Sequence, residues 1–542
     1  MKKLIILLFA LGSAYSCSDF LDEDNLSNIS ADEYYTTSEG FSSLLNANYA
    51  QLKNIYGKDP WLFVAGTDLY ARGRTAEPIG LSQYTELNPA SEGVDQLYKS
   101  CYKAIQYANM AMHYSEKTEQ TSNLNNQIGE IKFLRANAYF LLVQTYGGVS
   151  LVTDYINSTK LSFERNSAEE IYQFIINELE SSLELINNGV YTGHANKRAV
   201  QHLLAQVYLT KGYETFGNNS DFVKAASYAD NAIAGQSLNQ SFEYIWKPGN
   251  EMNEEVLFSV QYSDKSNSSD PINSGHAQSS YFGPYHGGTE VAKKAPYRTY
   301  SLCPTQFAID LYTEDDTRWN ATFMTEIYDD SEHKYGYFNY HLTTNRSNLI
   351  VKHYYEPKWL ANNSAFKAQY ISSHPGVEYH QYGTYAAENN PNFDNQTIPV
   401  KKFDDPNAPF GKYTSTRDLI LSRLADTYLI AAEAYLKQGN TTTAATRINE
   451  VRRRAGVSNI NAGQVDIDFI LDERAREMLG EYNRWFDLKR TGKLIERASR
   501  HNFLINESNF VGNGGNLKTL RPIPQNAIDL NKSETFKQNP AY

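Results

Sequence analysis

Apolar residues recur at helical spacing through most of this 542-residue chain, which points to a mainly α architecture. In residues 127–147, QIGEIKFLRANAYFLLVQTYG, the side chains of Ile128, Ile131, Leu134, Ala138, Leu141, Leu142 and Thr145 share one stripe at i, i+3, i+4 steps. Residues 167–186 repeat the pattern with Ile171, Phe174, Ile175, Leu179, Leu183 and Ile186. Ser167 followed by Glu170 is a capping box that starts this second helix. Two longer stretches, 202–234 and 423–456, read as helical hairpins of one type. Each has Ala and Tyr on its first helix and a Gly near the turn, Gly212 and Gly439. Each has Ala on its second helix: Ala225, Ala229 and Ala232 in one, Ala444 and Ala445 in the other. Small residues let paired helices approach closely, as in tetratricopeptide repeats with their period of about 34 residues. Ordinary helix pairs are the alternative.

The helical period fades over residues 241–411, where Pro, Gly, Asn, Ser and Tyr accumulate, as in SSYFGPYHGGTEV and KHYYEPKWLANNSAF. We read the chain as an N-terminal helical block (17–240), a loop-rich, ligand-binding insertion (241–411) and a C-terminal helical block (412–542), together one domain with little β structure. Residues 57–95 have a similar loop texture.

The first residues read as an address. Lys2 and Lys3 precede an apolar run from Leu4 to Leu11, and small residues follow at Gly12, Ser13, Ala14 and Ser16. Eight apolar residues are far short of the ~20 that span a bilayer, so 1–16 is read as a secretory signal peptide. Cys17 directly behind it resembles the lipid-attachment cysteine of a bacterial lipoprotein, although Tyr15 makes the lipobox a loose one. The acidic stretch after Cys17, SDFLDEDNLSNIS, reads as a tether. Losing Lys2 and Lys3 with the leader takes the formal charge from −12 to −14, which argues against nucleic acid as a partner. A mean hydropathy of −0.55 excludes a polytopic membrane protein. Cys101 and Cys303 make no disulfide framework and are read as core thiols.

Motifs of catalysis are missing. There is no G-x-S-x-G elbow, H-E-x-x-H or Walker A, and no Cys/His cluster has metal-ligand spacing. The expectation is therefore no enzyme, no cofactor and no metal site. One charged constellation stands out at 471–493, LDERAREMLGEYNRWFDLKRTGK. Glu473, Glu477 and Glu481 lie on one helix face, within helical reach of Arg474, Arg476 and Arg484. We read it as a structural ion-pair seam, with Trp485, Phe486 and Leu488 as core anchors.

Taken in order, these segments resemble the SusD/RagB-like outer-membrane lipoproteins along nearly the whole chain. The resemblance rests on Cys17 with SDFLDED, on FSSLLNANYAQL, and on IKFLRANAYFLLVQTYGGVSLV with SAEEIYQFIINELE. It continues through ANKRAVQHLLAQVYL, NEEVLFSVQY, KYTSTRDLILSRLADTYLIAAEAYL, ATRINEVRRRAGV, ILDERAREMLGEYNRWFDLKRTGK and LRPIPQNAIDLNKSETFKQNPAY. The last segment has QNPAY where QNPGY is usual. The resemblance implies a scaffold of four tetratricopeptide-like helix pairs with ligand loops on the opposite side. It implies a surface-exposed lipoprotein of the outer membrane, anchored by lipid at Cys17, that captures oligo- or polysaccharide and delivers it to a SusC-like TonB-dependent transporter. Peptide binding by a RagB-like uptake lipoprotein is the alternative.

Sugars are held by aromatic faces together with a few polar groups that read hydroxyls. The resemblance places ligand loops after the first helix and in the central insertion. Candidates in the first are Asp68, Arg72, Arg74 and Tyr84, and in the second Tyr281, Tyr285, Arg346 and Trp359. Asp68 would accept from hydroxyls, Arg72 would donate a fork, and Tyr84, Tyr285 and Trp359 would form a platform. The rest of the 41 Tyr are expected in the core, among them Tyr208, Tyr428 and Tyr435 on the repeat helices.

Overall fold

The computed structural model describes residues 30–73, 77–263, 275–283, 299, 301–329, 350–389, 397–405 and 414–542. Helices dominate them. The N-terminal block contains α1 (Ser38–Tyr56), α2 (Val94–Ser115), α3 (Leu124–Tyr146), α4 (Ala168–Leu185), α5 (Lys197–Tyr213) and α6 (Asn219–Ile233). A shorter helix, α7 (Ser364–Ser373), lies in the insertion. The C-terminal block contains α8 (Leu424–Lys437), α9 (Thr441–Ala455), α10 (Ile467–Met478), α11 (Arg484–Arg490) and α12 (Leu494–His501). Side-chain caps set several starts: Thr37 accepts from the Gly40 amide, Asn196 from Ala199, Asn440 from Thr443 and Asp466 from Phe469. The expected capping box forms, with Ser167 and Glu170 each satisfying the other's backbone amide.

The helices pack as consecutive pairs: α1 with α2, α3 with α4, α5 with α6, and α8 with α9. Each pair rests on the next, through α2–α3, α4–α5 and α6–α8. This is a mainly α, tetratricopeptide-like scaffold, as expected. The α5–α6 pair shows why small residues sit at its seam. A Cβ at Gly212 would lie 2.6 Å from the Phe222 ring, and Ala225, Ala229 and Ala232 are wholly buried. Gly439 serves differently: with φ +77 it ends the first helix of the α8–α9 hairpin in the left-handed region, where nothing crowds it. Tyrosines bridge the pairs. The Tyr208 hydroxyl donates to Glu180 at 2.8 Å, and Tyr435 donates to Asp230 at 2.6 Å.

One expectation is corrected in α3. Its stripe is buried as predicted apart from the half-buried Ile128, but so is most of the remaining circumference, including Glu130, Arg135, Asn137 and Gln144. A helix packed by α1, α2, α4 and α5 keeps little solvent face, so most of its polar side chains must find partners inside. Arg135 does so with Glu178 and Asn109, at 2.6 and 2.9 Å.

A strand pair joins the first part of the insertion to the C-terminal block. Strand β2 (Val256–Val260) runs antiparallel to β7 (Leu419–Arg423), with Val256 opposite Arg423 and Val260 opposite Leu419. The chain between them, residues 261–418, leaves from one strand and returns by the other. Within it, β3 (Leu302–Pro304) pairs with β1 (Tyr70–Arg72) near the end of α1. Strand β5 (Ile350–Tyr355) pairs antiparallel with β4 (Glu326–Asp329) and parallel with β6 (Glu378–His380). The stretch KHYYEPKWLANNSAF is therefore not loop: it holds most of β5, a 3-10 turn at Lys358–Leu360 and the start of α7. The consecutive His353, Tyr354 and Tyr355 of β5 are buried on both faces of the strand, which composition alone does not reveal.

A buried ion-pair network ties the insertion to the C-terminal block. The Arg318 guanidinium donates to Asp316, Glu473 and Glu477 at 2.7–3.1 Å. Glu477 also receives Arg423 at 2.6 Å and Arg454. The seam expected on one helix face holds for Glu473 and Glu477, but α10 ends at Met478, so Glu481 leaves that face and pairs with Arg423 and Lys402, and most partners differ from those expected. Arg476 pairs with Glu473, whereas Arg474 reaches Asp426 and Asp487, and Arg484 reaches Asp68. Arginines from distant segments fill the places left on the glutamates, because buried carboxylates need several donors each. Trp485, Phe486 and Leu488 are core side chains, as are Cys101 and Cys303.

Candidate functional site

The Arg318 anchor fixes a short helix, Arg318–Thr322, and thereby the indole of the next residue, Trp319. Trp319 stacks obliquely on Phe323, with ring centroids 4.8 Å apart. The half-buried Trp359 rests edge-on against Trp319 at 5.4 Å and 73°. It stands on the 3-10 turn that Pro357 starts after β5. Together they form one wall of a cleft of about 540 Å³.

The facing wall comes from the three-stranded sheet and α7. Tyr354 of β5 stacks on Tyr370 of α7, with centroids 4.0 Å apart and planes 29° from parallel. The Tyr370 hydroxyl donates to Glu326 Oε1 at 2.6 Å, and Tyr328 donates to Oε2 of the same carboxylate. Burial and the Glu326 charge push the Tyr370 phenol well above its ordinary pKa, so it remains a donor. Each Glu326 oxygen keeps a further lone pair for a hydroxyl of a ligand. Asn320 and Lys401 add polar groups to the lining, and Lys401 Nζ lies 3.7 Å from Glu243 Oε1 across it. Flat rings beside a carboxylate, an amide and an ammonium group suit a ligand with apolar faces and hydroxyl edges.

Of the expected site residues, Trp359 lines this cleft. Arg74, Tyr285, Arg346 and Cys17 lie outside the described residues. Asp68 and Tyr84 are corrected: both are completely buried. Asp68 takes Arg484 at 2.5 Å and Arg497 at 3.1 Å. Burial raises its carboxyl pKa, but the two guanidinium charges outweigh that and hold it below the ordinary value. Tyr84 donates to the Gly66 carbonyl at 2.9 Å and accepts from the Trp485 indole at 3.1 Å. Neither can meet a solute, because their polar atoms are used within the core. Arg72 is half-buried at the end of β1, where its charge opposes the effect of burial on Glu77. Tyr281 is half-buried, donates to Asp59 and leans on Trp61 at 4.9 Å, away from the lining of the cleft. Sequence reading misses Trp319, Glu326, Tyr354 and Tyr370. The available signal is the aromatic run from Tyr354 to Trp359, whose composition resembles that of a loop.

The fold also gathers potential metal ligands that the sequence does not announce. Among the described residues, His353, Glu378 and His380 place one ligand atom each within 4.8 Å of the others. The two histidines are 27 residues apart, so no search for ligand spacing finds them.

Among the described residues, no helix is long and apolar enough to cross a membrane. Comparison with known proteins agrees with the architecture. Residues 254–542 match the family model described as the SusD family, and residues 19–209 match one described as "Starch-binding associating with outer membrane". A SusD-like protein of Bacteroides ovatus is 24% identical over 511 residues, covering 90% of this chain and 82% of that one. The starch-binding protein SusD of Bacteroides thetaiotaomicron is 22% identical, covering 84% and 80%. Among solved structures, a laminarin-binding SusD-like protein superposes with a TM-score of 0.69 at 20% identity, covering 94% of this chain and all of that one. Surface glycan-binding protein A of Bacteroides thetaiotaomicron, in complex with laminarihexaose, gives 0.68 at 19% identity over the same shares. With helix pairs, bridging strands and a family match over more than half of its length, the chain belongs to the SusD family.

Proposed function

We propose that this protein is a surface glycan-binding lipoprotein that captures an oligo- or polysaccharide at the outer membrane and passes it to a SusC-like TonB-dependent transporter. The observation that carries the binding reading is the cleft in which Trp359 and Tyr354 face polar groups at Glu326 and Asn320. The starch, laminarin and outer-membrane descriptions of its relatives support a glycan ligand and a membrane address. In this reading Cys17 carries the lipid, and several acyl chains supply the anchoring at about 0.8 kcal/mol per buried methylene. The protein binds without turnover.

Affinity electrophoresis and calorimetry of the mature protein against starch, laminarin and a broader glycan panel test the proposal. We expect binding to at least one glycan without release of reducing ends. Trp359→Ala should weaken that binding about tenfold with only a modest fall in melting temperature, since the half-buried ring also packs against Trp319. Absence of binding across the panel, or peptide binding in its place, would overturn the glycan reading. Cys17→Ala should release the protein from membranes, and an unchanged membrane fraction would refute the anchor.

A further inference from the structure

Strands β5 and β6 run parallel with His353 opposite Glu378 and Tyr355 opposite His380. Because side chains alternate along a strand, His353, Tyr355, Glu378 and His380 share one face of the sheet. Tyr354 and Tyr379 occupy the other, and Tyr354 lines the cleft there. On the first face, His353 Nδ1 lies 3.1 Å from His380 Nε2. The Glu378 carboxylate reaches both, with Oε2 at 3.4 Å from His353 Nδ1 and Oε1 at 3.8 Å from His380 Nε2.

Each carboxylate oxygen faces one imidazole, and these separations of 3.1–3.8 Å bracket the edges of a coordination tetrahedron. Imidazole nitrogens and carboxylate oxygens bound at about 2.0–2.2 Å with tetrahedral angles lie about 3.3–3.6 Å from one another. The donor set is also informative. Two imidazoles and one carboxylate form a borderline N/O site, which favours zinc-like first-row divalent ions over Mg²⁺ or Ca²⁺. The imidazoles are buried and fixed: His380 stacks flat on Tyr355, with centroids 4.5 Å apart and planes 10° from parallel. Glu378, by contrast, is 56% exposed, so one side of the triangle faces solvent and a water can complete four-coordination.

The geometry points to a divalent transition-metal site, of the zinc class, formed by His353, Glu378 and His380. A metal there would pin β6 to β5 behind the wall of the cleft, acting as a structural staple of the sheet. The inference does not depend on the glycan reading, because the probe is the metal alone.

The mature protein, stripped with chelator, should take up one equivalent of Zn²⁺ in calorimetry and elemental analysis, and its melting temperature should rise with Zn²⁺. Co²⁺ should bind at the same place and show the visible d–d bands of a tetrahedral ion. Glu378→Gln alters an exposed side chain and should preserve the fold while weakening Zn²⁺ binding about ten- to a hundredfold. His380→Asn should abolish the Co²⁺ bands. If the wild-type protein takes up no stoichiometric Zn²⁺, the histidine pair is a hydrogen bond between imidazoles and the proposal fails. Uptake that Glu378→Gln and His380→Asn leave unchanged would place the ion elsewhere and would equally overturn it.

Discussion

Glu77 shows how strongly one side chain can be set by its surroundings. It is 2% exposed, and its Oε2 has no hydrogen-bond partner among the described residues. Burial lifts its pKa from 4.5 to about 8, against the smaller pull of the Arg72 charge. The folded state therefore holds a proton that the unfolded chain has released at neutral pH. Stability from this group is full below the unfolded pKa and is lost as pH rises from about 4.5 toward 8. Glu77→Gln, which copies the protonated form, should leave stability near the wild-type value at pH 4.5. By pH 8 it should exceed wild type by on the order of 4 kcal/mol, since each tenfold change in proton affinity is worth about 1.4 kcal/mol. Paired denaturant titrations at the two pH values check this, and a gain independent of pH would refute the assignment. Trp359 is the opposite case: a large ring left half-exposed beside polar groups. Asp68 and Tyr84 are of the right chemical type for a sugar site, but type does not reveal exposure. Their partners, Arg484 and Trp485, lie more than 400 residues away along the chain.

At the scale of elements, the helix seams carry the sharpest sequence requirements. Gly212 has no space for a methyl group, because the Phe222 ring sits where its Cβ would be. Gly212→Ala should therefore cost about 1–3 kcal/mol through forced separation of α5 and α6, despite alanine's better helix propensity. Gly439→Ala meets no neighbour within 4 Å, and its cost should be the backbone strain of a positive φ, about 1 kcal/mol. Pairing either variant with Phe222→Leu separates the two causes. The smaller ring-free side chain should relieve the cost at Gly212 and leave that at Gly439 unchanged, and equal relief at both would contradict this account. The closing segment QNPAY is also explained at this scale. The buried Asn539 amide donates to the Tyr146 and Arg521 carbonyls at 3.0 and 2.9 Å, which fastens the end of the chain to the end of α3.

At the scale of the whole molecule, one buried cluster runs from Phe41 to Phe536, and charged groups are threaded through it. Their titration sets the response to acid. Burial raises the Glu473 and Glu477 carboxyl pKa values, but the surrounding arginines outweigh it, so Glu473 falls to about 2 and Glu477 lower still. Depressed carboxylates stabilise fully above their unfolded pKa of about 4.5, and that stability is lost as pH falls toward 2. His276 acts earlier. Burial lowers its pKa to about 4 despite the bond it donates to the Arg417 carbonyl, so its contribution declines between pH 6.5 and 4. Calorimetric melting temperatures should change little from pH 6.5 to 4.5, where the His276 loss opposes the Glu77 gain, and fall steeply below it. A flat profile between pH 4.5 and 2.5 would refute a network that depends on its carboxylates. Glu477→Gln should cost about 3–5 kcal/mol at pH 7, because Arg423, Arg454 and Arg318 would lose a shared buried counter-charge.

The amino-acid sequence by itself determined the helical periods, the capping box at Ser167 and the small-residue seams between paired helices. These depend on periodicity and on neighbours three or four positions away, which a linear reading resolves. It also located the change in texture at the insertion and the acidic seam of α10. Tertiary structure decided the rest. Which aromatics face solvent, which arginine answers which glutamate, and which histidines meet are set by packing between segments tens to hundreds of residues apart. Trp359 and Tyr84 are both aromatic residues in segments of loop-like composition, but one borders a cleft and the other fills the core. The difference lies in whether another part of the chain covers the ring, and that becomes fixed only when the helix pairs and the insertion close on one another.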